Sequence, residues 1–182
     1  MPEVYLRETN NVRTQFEAAI QNVGQNGAKR AFARAINHET RKASTQIRRQ
    51  VAKASSIKYG DVTRATRFKG ANPNRLDAKI IAKGQAFPLK YFGAKQFSYG
   101  VRAKVWGQTQ RYKSAFIVGR YANDAFVRKG KARFPISKMW GPSVPAEIMR
   151  PPILDTFARN TDAIGARAAH EVKAIIEGHA PG

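Results

Sequence analysis

The chain has 182 residues, with 33 lysines and arginines against 12 aspartates and glutamates, which gives a formal net charge of +21. Hydrophobic residues make up 42% and aromatic residues 10%, which excludes a disordered basic tail and predicts a single packed domain over residues 1–182. The absence of cysteine excludes disulfides and thiol chemistry, and the excess of positive charge calls for an acidic partner such as nucleic acid or an acidic protein surface.

An N-terminal helical arm is predicted over residues 11–54. Apolar residues between Phe16 and Val51 recur at helical spacing, with an interruption at Gly24 and Gly27. As one unbroken helix, this segment would be about 60 Å long at 1.5 Å per residue, which is longer than the diameter of a compact domain of this size. It therefore either folds back at the glycines or projects as a subunit contact, and the alternative is a helix lying along its own sheet. Residues 55–73 are rich in turn formers and are expected to form a loop.

A basic β-sheet region is predicted over residues 76–137. The runs Ala78–Ala82 and Tyr99–Val105 alternate apolar residues with others, mostly cationic, which is typical of half-buried strands. Shorter β-rich runs at 114–118 and 125–128, with an edge piece at 134–136, complete a small antiparallel sheet.

The last predicted element is an amphipathic C-terminal helix over residues 150–178, with apolar residues at helical spacing from Ile153 to Ile175. The fold class is therefore α+β, with N-terminal helices, a small mainly antiparallel β-sheet and a C-terminal helix packed on the sheet.

Positive charge is concentrated in the sheet region, which contains no aspartate or glutamate from Ala78 through Asn123. If the cations alternate out of the core, one sheet face becomes positive and can neutralise phosphates without reading bases. The alternative is a solvated face on a very basic protein. The candidate residues that face DNA or an acidic partner are Lys79, Lys83, Lys90, Lys95, Arg102, Lys104, Arg111 and Lys113.

Aromatic residues interleave with these cations, as they do on platforms that bind single-stranded nucleic acid. Aromatic residues also build cores, and in a chain with one sheet we expect most of them to be packing residues. The rings in question are Phe87, Tyr91, Phe92, Phe97, Tyr99, Trp106, Tyr112 and Phe116.

No catalytic, cofactor-binding or metal-binding residues are predicted. Carboxylates are scarce and lie toward the two ends of the chain, so no pair is placed for acid-base chemistry or metal binding. Gly130-Lys131 lacks the upstream glycine and the serine or threonine of a phosphate-binding loop. We therefore expect a protein that is not an enzyme. The sequence has no leader pattern and no run of about 18 apolar residues, so we also expect a soluble protein made in the cytoplasm, without membrane contact.

The most distinctive segment runs from Ala125 to Pro145 and resembles the prophage minor tail protein Z family. In that family a strand ending in phenylalanine-valine-arginine leads through a basic glycine turn to a proline-isoleucine step and an aromatic-glycine-proline-serine turn. Gly130 would supply the positive φ of a tight turn, and Pro135 would mark an edge strand. The matching residues are Phe126, Val127, Arg128, Gly130, Lys131, Arg133, Pro135, Ile136, Trp140, Gly141, Pro142 and Ser143.

The resemblance implies a virion protein of a tailed bacteriophage that acts late in tail assembly, at the head-proximal end of the tail or the neck. It implies a homo-oligomeric ring around the DNA channel, commonly sixfold, with the tail terminator, tail tube and head–tail connector as partners. The basic face would then meet either passing genomic DNA or acidic rims of neighbouring rings. Two alternatives stay open: a tail terminator of the same region, and a free nucleic-acid-binding protein without sequence preference.

Overall fold

The computed structural model describes residues 3–5 and 10–177 and has the α+β architecture that the sequence predicts. Within these residues there are four α-helices: α1 (Asn10–Ser55), α2 (Tyr59–Ala65), α3 (Val144–Ile148) and α4 (Pro151–Ile176). The strands are β1 (Glu3–Tyr5), β2 (Thr66–Lys69), β3 (Lys79–Ala82), β4 (Lys95–Phe97), β5 (Gly100–Val105), β6 (Gln108–Lys113), β7 (Ala115–Val118), β8 (Asp124–Arg128) and β9 (Ile136–Lys138).

The strands form three small antiparallel sheets, whereas the sequence predicted one. Their orders are β1-β3-β2, β4-β5-β6 and β7-β8-β9. Ser114, with φ of 61°, separates β6 from β7 and turns the chain from the second sheet into the third. Because this residue leaves extended geometry, the hydrogen-bonded ladder of the second sheet ends there. The basic region is therefore divided among separate sheets.

Helix α1 is kinked at Gly24, which has φ of 72° and ψ of 167° and so cannot continue the helix. The segment before the kink does not stand free, because Phe16, Ile20 and Val23 pack in one cluster with Phe32 and with Val172 of α4. The rings of Phe16 and Phe32 meet edge to face at 4.9 Å. The arm therefore lies against the protein's own C-terminal helix, and the interpretation of a projecting arm is wrong for its described side chains.

After the kink, α1 runs antiparallel to α4 and packs along it. Completely buried alanines such as Ala28 and Ala35 let α1 approach α4 closely. Polar groups also join the two helices: the amide of Gln50 donates to the hydroxyl of Thr156 at 2.8 Å, and the amide of Asn160 donates to Gln46 at 2.9 Å. These paired groups fix the register of the two helices.

The main hydrophobic core lies where the second half of α1 meets the sheets. Ile47 and Val51 of α1 pack with Val101 of β5, and Ile153 and Phe157 bring the start of α4 into the same cluster. The C-terminal helix thus begins against the sheets, as predicted, and then continues along α1. Its predicted end at Gly178 lies outside the described residues.

Several parts of the fold were not predicted, including β1, β4 and α3. Residues 55–73 were expected to be a loop, but they contain α2 and β2. The outer strand β6 was also missed, although it pairs with β5 along its whole length. Both strands carry few apolar residues, so the period-two pattern that identifies a strand is weak there.

Candidate nucleic-acid interface

The outer face of the second sheet carries a row of cations that crosses all three strands. Lys95 of β4 lies opposite Arg102 of β5, and Arg102 lies opposite Arg111 of β6. Neighbouring strands are about 4.8 Å apart, so the row spans roughly 10 Å. Two more cations, Lys104 and Lys113, lie on the same face at period-two positions of β5 and β6.

The direction of this face follows from what lies behind it. Val101, Ala103 and Val105 of β5 alternate with the cations and are almost completely buried. Tyr112 of β6, opposite Val101, also points inward, and burial raises the pKa of its phenol. The buried side therefore commits Arg102 and Lys104 to the outer face, as the strand period predicted.

We call the five cations Lys95, Arg102, Lys104, Arg111 and Lys113 the basic sheet face. Within residues 14–177, none of the five forms an ion pair with a carboxylate. Like charges directly opposite each other on neighbouring strands destabilise a sheet. The arrangement therefore costs folding free energy, and an anionic partner would offset that cost.

Two aromatic rings complete the surface. Phe97 and Tyr99 stack with centroids 5.5 Å apart and an interplanar angle of 8°. The guanidinium carbon of Arg102 lies 4.3 Å from the centre of the Phe97 ring, and that of Arg111 lies 5.6 Å from the centre of the Tyr99 ring. The two arginines are therefore held by aromatic faces rather than by carboxylates.

Gly100 positions Tyr99 at the turn between β4 and β5. Its φ is 140°, and a Cβ placed there would lie 2.2 Å from the carbonyl oxygen of Tyr112. Only glycine allows the strands to approach this closely. The tight turn leaves Tyr99 exposed at the edge of the basic sheet face.

The other three predicted cations do not join this face. Lys79 and Lys83 lie on and just after β3, in the first sheet. Lys90 lies in a short 3-10 turn (Leu89–Phe92), and its ammonium group lies 3.2 Å from Asp124 and 3.1 Å from the carbonyl oxygen of Ala122. The single positive face predicted from Lys79, Lys83, Arg102 and Lys104 is therefore wrong, because β3 and β5 belong to different sheets. Lys90 forms an ion pair with Asp124 instead.

Asp124 is the carboxylate that forms an ion pair with Lys90. It is only 6% exposed, and its second oxygen lies 2.5 Å from the ammonium group of Lys138. The hydrogen bond from Lys138, followed by that from Lys90, holds the pKa of the Asp124 carboxyl below its ordinary value. This buried carboxylate therefore links β8 to β9 through Lys138 and to the 3-10 turn through Lys90.

The first half of the distinctive segment from Ala125 to Pro145 forms a hairpin. Phe126, Val127 and Arg128 lie in β8, and Ile136 begins β9 after the cis peptide bond between Phe134 and Pro135. Gly130, Lys131 and Arg133 lie in the exposed connection. Gly130 is not among the residues with positive φ, so the prediction that it supplies a left-handed turn is wrong.

The second half of the segment packs against the turn at Lys90. The amide of Gly141 donates to the carbonyl oxygen of Phe87 at 2.8 Å, and the amide of Phe87 donates to that of Pro142 at 3.1 Å. Ser143 caps α3 by accepting a hydrogen bond from the amide of Ala146. Trp140 is 49% exposed, with the ammonium group of Lys138 4.6 Å from its ring, so it is a surface residue of the segment.

Comparison of the chain with protein-family models, curated proteins and solved structures gave no match. Within the described residues there is no group of three or more histidine, aspartate or glutamate side chains arranged to hold a metal ion. In the same part of the chain, no helix combines the length and the apolar character needed to cross a bilayer. The resemblance to minor tail protein Z therefore stays a prediction from the sequence.

Sequence reasoning missed the row that Arg111 completes and the aromatic stack beside it. One signal for the missing strand was available. Trp106 and Gly107 have φ of 52° and 73° and form the two-residue turn from β5 to β6, and a glycine at the second position of such a turn is typical of a hairpin. No sequence signal placed the stack of Phe97 and Tyr99 on the surface.

Proposed function

We propose that this chain is a structural component of a tailed-bacteriophage virion, a minor tail or tail-completion protein at the head-proximal end of the tail or the neck. In this role it forms a ring around the DNA channel and performs no catalysis. The motif from Phe126 to Ser143 suggests the family. The observation that carries the proposed role is the basic sheet face, with five cations and no carboxylate partner within residues 14–177.

A ring that encloses a DNA passage needs positive charge that is independent of base sequence. Lysine and arginine side chains neutralise phosphates without reading base edges. An acidic rim on a neighbouring ring would complement the same charges. In either arrangement, the basic sheet face is the surface that meets the polyanion.

The apolar side chains of the N-terminal arm, Phe16, Ile20 and Val23, pack with α4 and are therefore not available for the ring contact. The connection between β8 and β9 is a better candidate, because Lys129, Lys131 and Arg133 are exposed there and Phe134 is 61% exposed. A contact between this connection and a different surface of the next copy would be heterologous, and a heterologous contact forms a ring when the rotation between copies closes.

A second function, a nucleic-acid-binding protein without sequence preference, is favoured by a separate observation. Tyr99 is an exposed aromatic ring beside the cationic row, which is the combination found on surfaces that bind single strands. A protein with this function would bind nucleic acid as a monomer and would not need to join a virion.

The two functions can be separated by measuring the mass of the purified protein in solution across a salt series, with and without a short DNA duplex. A discrete ring, or a monomer that joins purified tails and binds duplex weakly, supports the structural role. A tight, salt-sensitive complex of monomer with duplex, by a protein that is absent from purified virions, would overturn it.

A further inference from the structure

The rings of Phe97 and Tyr99 are not part of the hydrophobic core. The main core cluster includes Phe92 and has Tyr91, Trp106 and Tyr112 packed against it, but neither ring of the stacked pair belongs to it. Tyr99 remains 36% exposed. The stacked pair therefore lies at the surface beside the cations, where a flat ligand group can reach it.

Four flat groups follow one another on this surface through three face contacts. Arg102 lies over Phe97, Phe97 stacks on Tyr99, and Arg111 lies over Tyr99. The outer contact, at 5.6 Å, is the looser of the two arginine contacts. A flat group that approaches Tyr99 can displace Arg111 at little cost, because cation–π contacts at exposed sites are worth only about 0.5 to 1 kcal/mol.

We propose that the basic sheet face binds single-stranded nucleic acid without sequence preference, with an unpaired base stacked on Tyr99 and the phosphates neutralised by the surrounding cations. This inference rests on the part of the proposed function that assigns the basic sheet face to nucleic acid. It goes beyond that function by naming the form of nucleic acid. It also makes Tyr99 a binding residue, whereas the charge argument alone involves only lysine and arginine.

The geometry favours a single strand over a duplex. In a duplex the base faces are covered by their neighbours, so Tyr99 could reach only the backbone. The flat face of an unpaired base is accessible to Tyr99. Stacking on an aromatic side chain tolerates any sequence, because every base has such a face. Arg111 lies over Tyr99 and opposite Arg102, and Lys104 lies two residues further along β5, about 6.8 Å, so the cations extend from the stacked position along the sheet.

The test compares a labelled oligothymidylate with a duplex of the same length, by fluorescence anisotropy at several salt concentrations. We expect Tyr99→Ala to weaken binding of the single strand by roughly 5- to 150-fold and to leave duplex binding within about twofold. Tyr99→Trp should retain the affinity for the single strand. Tyr59→Ala is the matched control, since Tyr59 is 45% exposed but lies at the start of α2.

A charge variant provides a second measurement that does not depend on the ring. Lys104→Gln should weaken binding of both nucleic acids and should reduce the salt dependence for the single strand by about 0.7 in the slope of log K against log salt. Melting curves of each variant establish that the fold is intact. In the Tyr99→Trp variant, a base that displaces Arg111 would stack on the new tryptophan. Addition of oligothymidylate should therefore also change the tryptophan fluorescence of this variant.

The inference is overturned if the wild-type protein binds duplex at least as tightly as oligothymidylate, if Tyr99→Ala weakens both equally, or if the protein binds neither. Its failure differs from failure of the proposed function, which is measured by incorporation into purified tails. A tail protein that binds no single strand refutes only this inference. A single-strand binder that is absent from virions refutes only the structural role.

Discussion

Arg102 and Arg111 lie directly opposite each other on β5 and β6, with Lys95 opposite Arg102 on its other side. Since like charges at opposed positions repel, this part of the sheet is less stable than its hydrogen-bonding pattern would allow. The row therefore connects stability with binding, because a substitution that relieves the repulsion also removes charge from the basic sheet face.

The first prediction concerns that connection. Arg111→Glu should be more stable than Arg111→Gln by about 0.2 to 1 kcal/mol, because both variants lose the contact with the Tyr99 ring but only glutamate forms an attractive pair with Arg102, and it should weaken binding of polyanions. Thermal melting at low and high salt measures the effect, which should shrink as salt screens the charges. The control compares Lys113→Glu with Lys113→Gln, since Lys113 lies opposite Gly100. An equal difference in stability at both positions would mean that net charge, and not the pair, is responsible.

The second prediction concerns Asp124, whose pKa is held below the ordinary value of 3.8 by Lys138 and Lys90. A carboxyl with a lowered pKa contributes stability that is complete above its unfolded pKa and is lost as the pH falls through the folded pKa. The free energy of unfolding should therefore decline below about pH 4. Asp124→Asn should cost about 1 to 3 kcal/mol at neutral pH.

Urea unfolding between pH 2.5 and pH 7 measures this dependence. The loss of stability on acidification should be smaller in Asp124→Asn than in the wild type, because the substituted side chain does not titrate. Asp155→Asn is a suitable control, since Asp155 is exposed on α4. An unchanged acid dependence in Asp124→Asn would contradict the role given to this carboxyl.

Much of the fold was readable from the sequence where one side of an element is apolar. Val101, Ala103 and Val105 alternate with cations, so the strand and its outward charges were both predicted correctly. Strand β6 shows why other parts were missed. Its residues Gln108 to Lys113 are exposed or half-buried throughout, so the strand is defined by hydrogen bonds to β5 and leaves little apolar pattern.

The candidate site was less predictable than the fold, because its contacts join residues far apart in the chain. Lys90 was grouped with the basic face, but its partner Asp124 lies 34 residues later and cannot be identified from spacing. An aromatic residue in a basic region is equally compatible with a core and a surface. It is the tight turn at Gly100 that places the Tyr99 ring on the surface and not in the core.

The third prediction tests the exposed position of Trp140. If Trp140 were buried, its replacement with alanine would cost about 3 to 5 kcal/mol. Because it is 49% exposed, with Lys138 over its ring, we expect Trp140→Ala to cost about 1 kcal/mol or less. Leu89→Ala is the comparison, since Leu89 is completely buried and should cost about 2 to 5 kcal/mol. Chemical unfolding measures both, and a similar loss for the two variants would show that Trp140 is an anchor after all.

The fourth prediction separates the two glycines of the distinctive segment. A Cβ at position 141 would lie 2.5 Å from the ring of Phe92, which is only 6% exposed and has little room to move. Gly141→Ala should therefore destabilise the protein by about 1 to 3 kcal/mol through overpacking.

A Cβ at Gly130 would meet nothing within 4 Å, and the φ of this residue is not positive. Gly130→Ala should accordingly be neutral or stabilising by up to about 1 kcal/mol, because alanine reduces the entropy of the unfolded chain. Melting temperatures of the two variants test this prediction. A lower melting temperature for Gly130→Ala and an unchanged one for Gly141→Ala would mean that turn geometry, and not the close approach of Phe92, requires glycine in this segment.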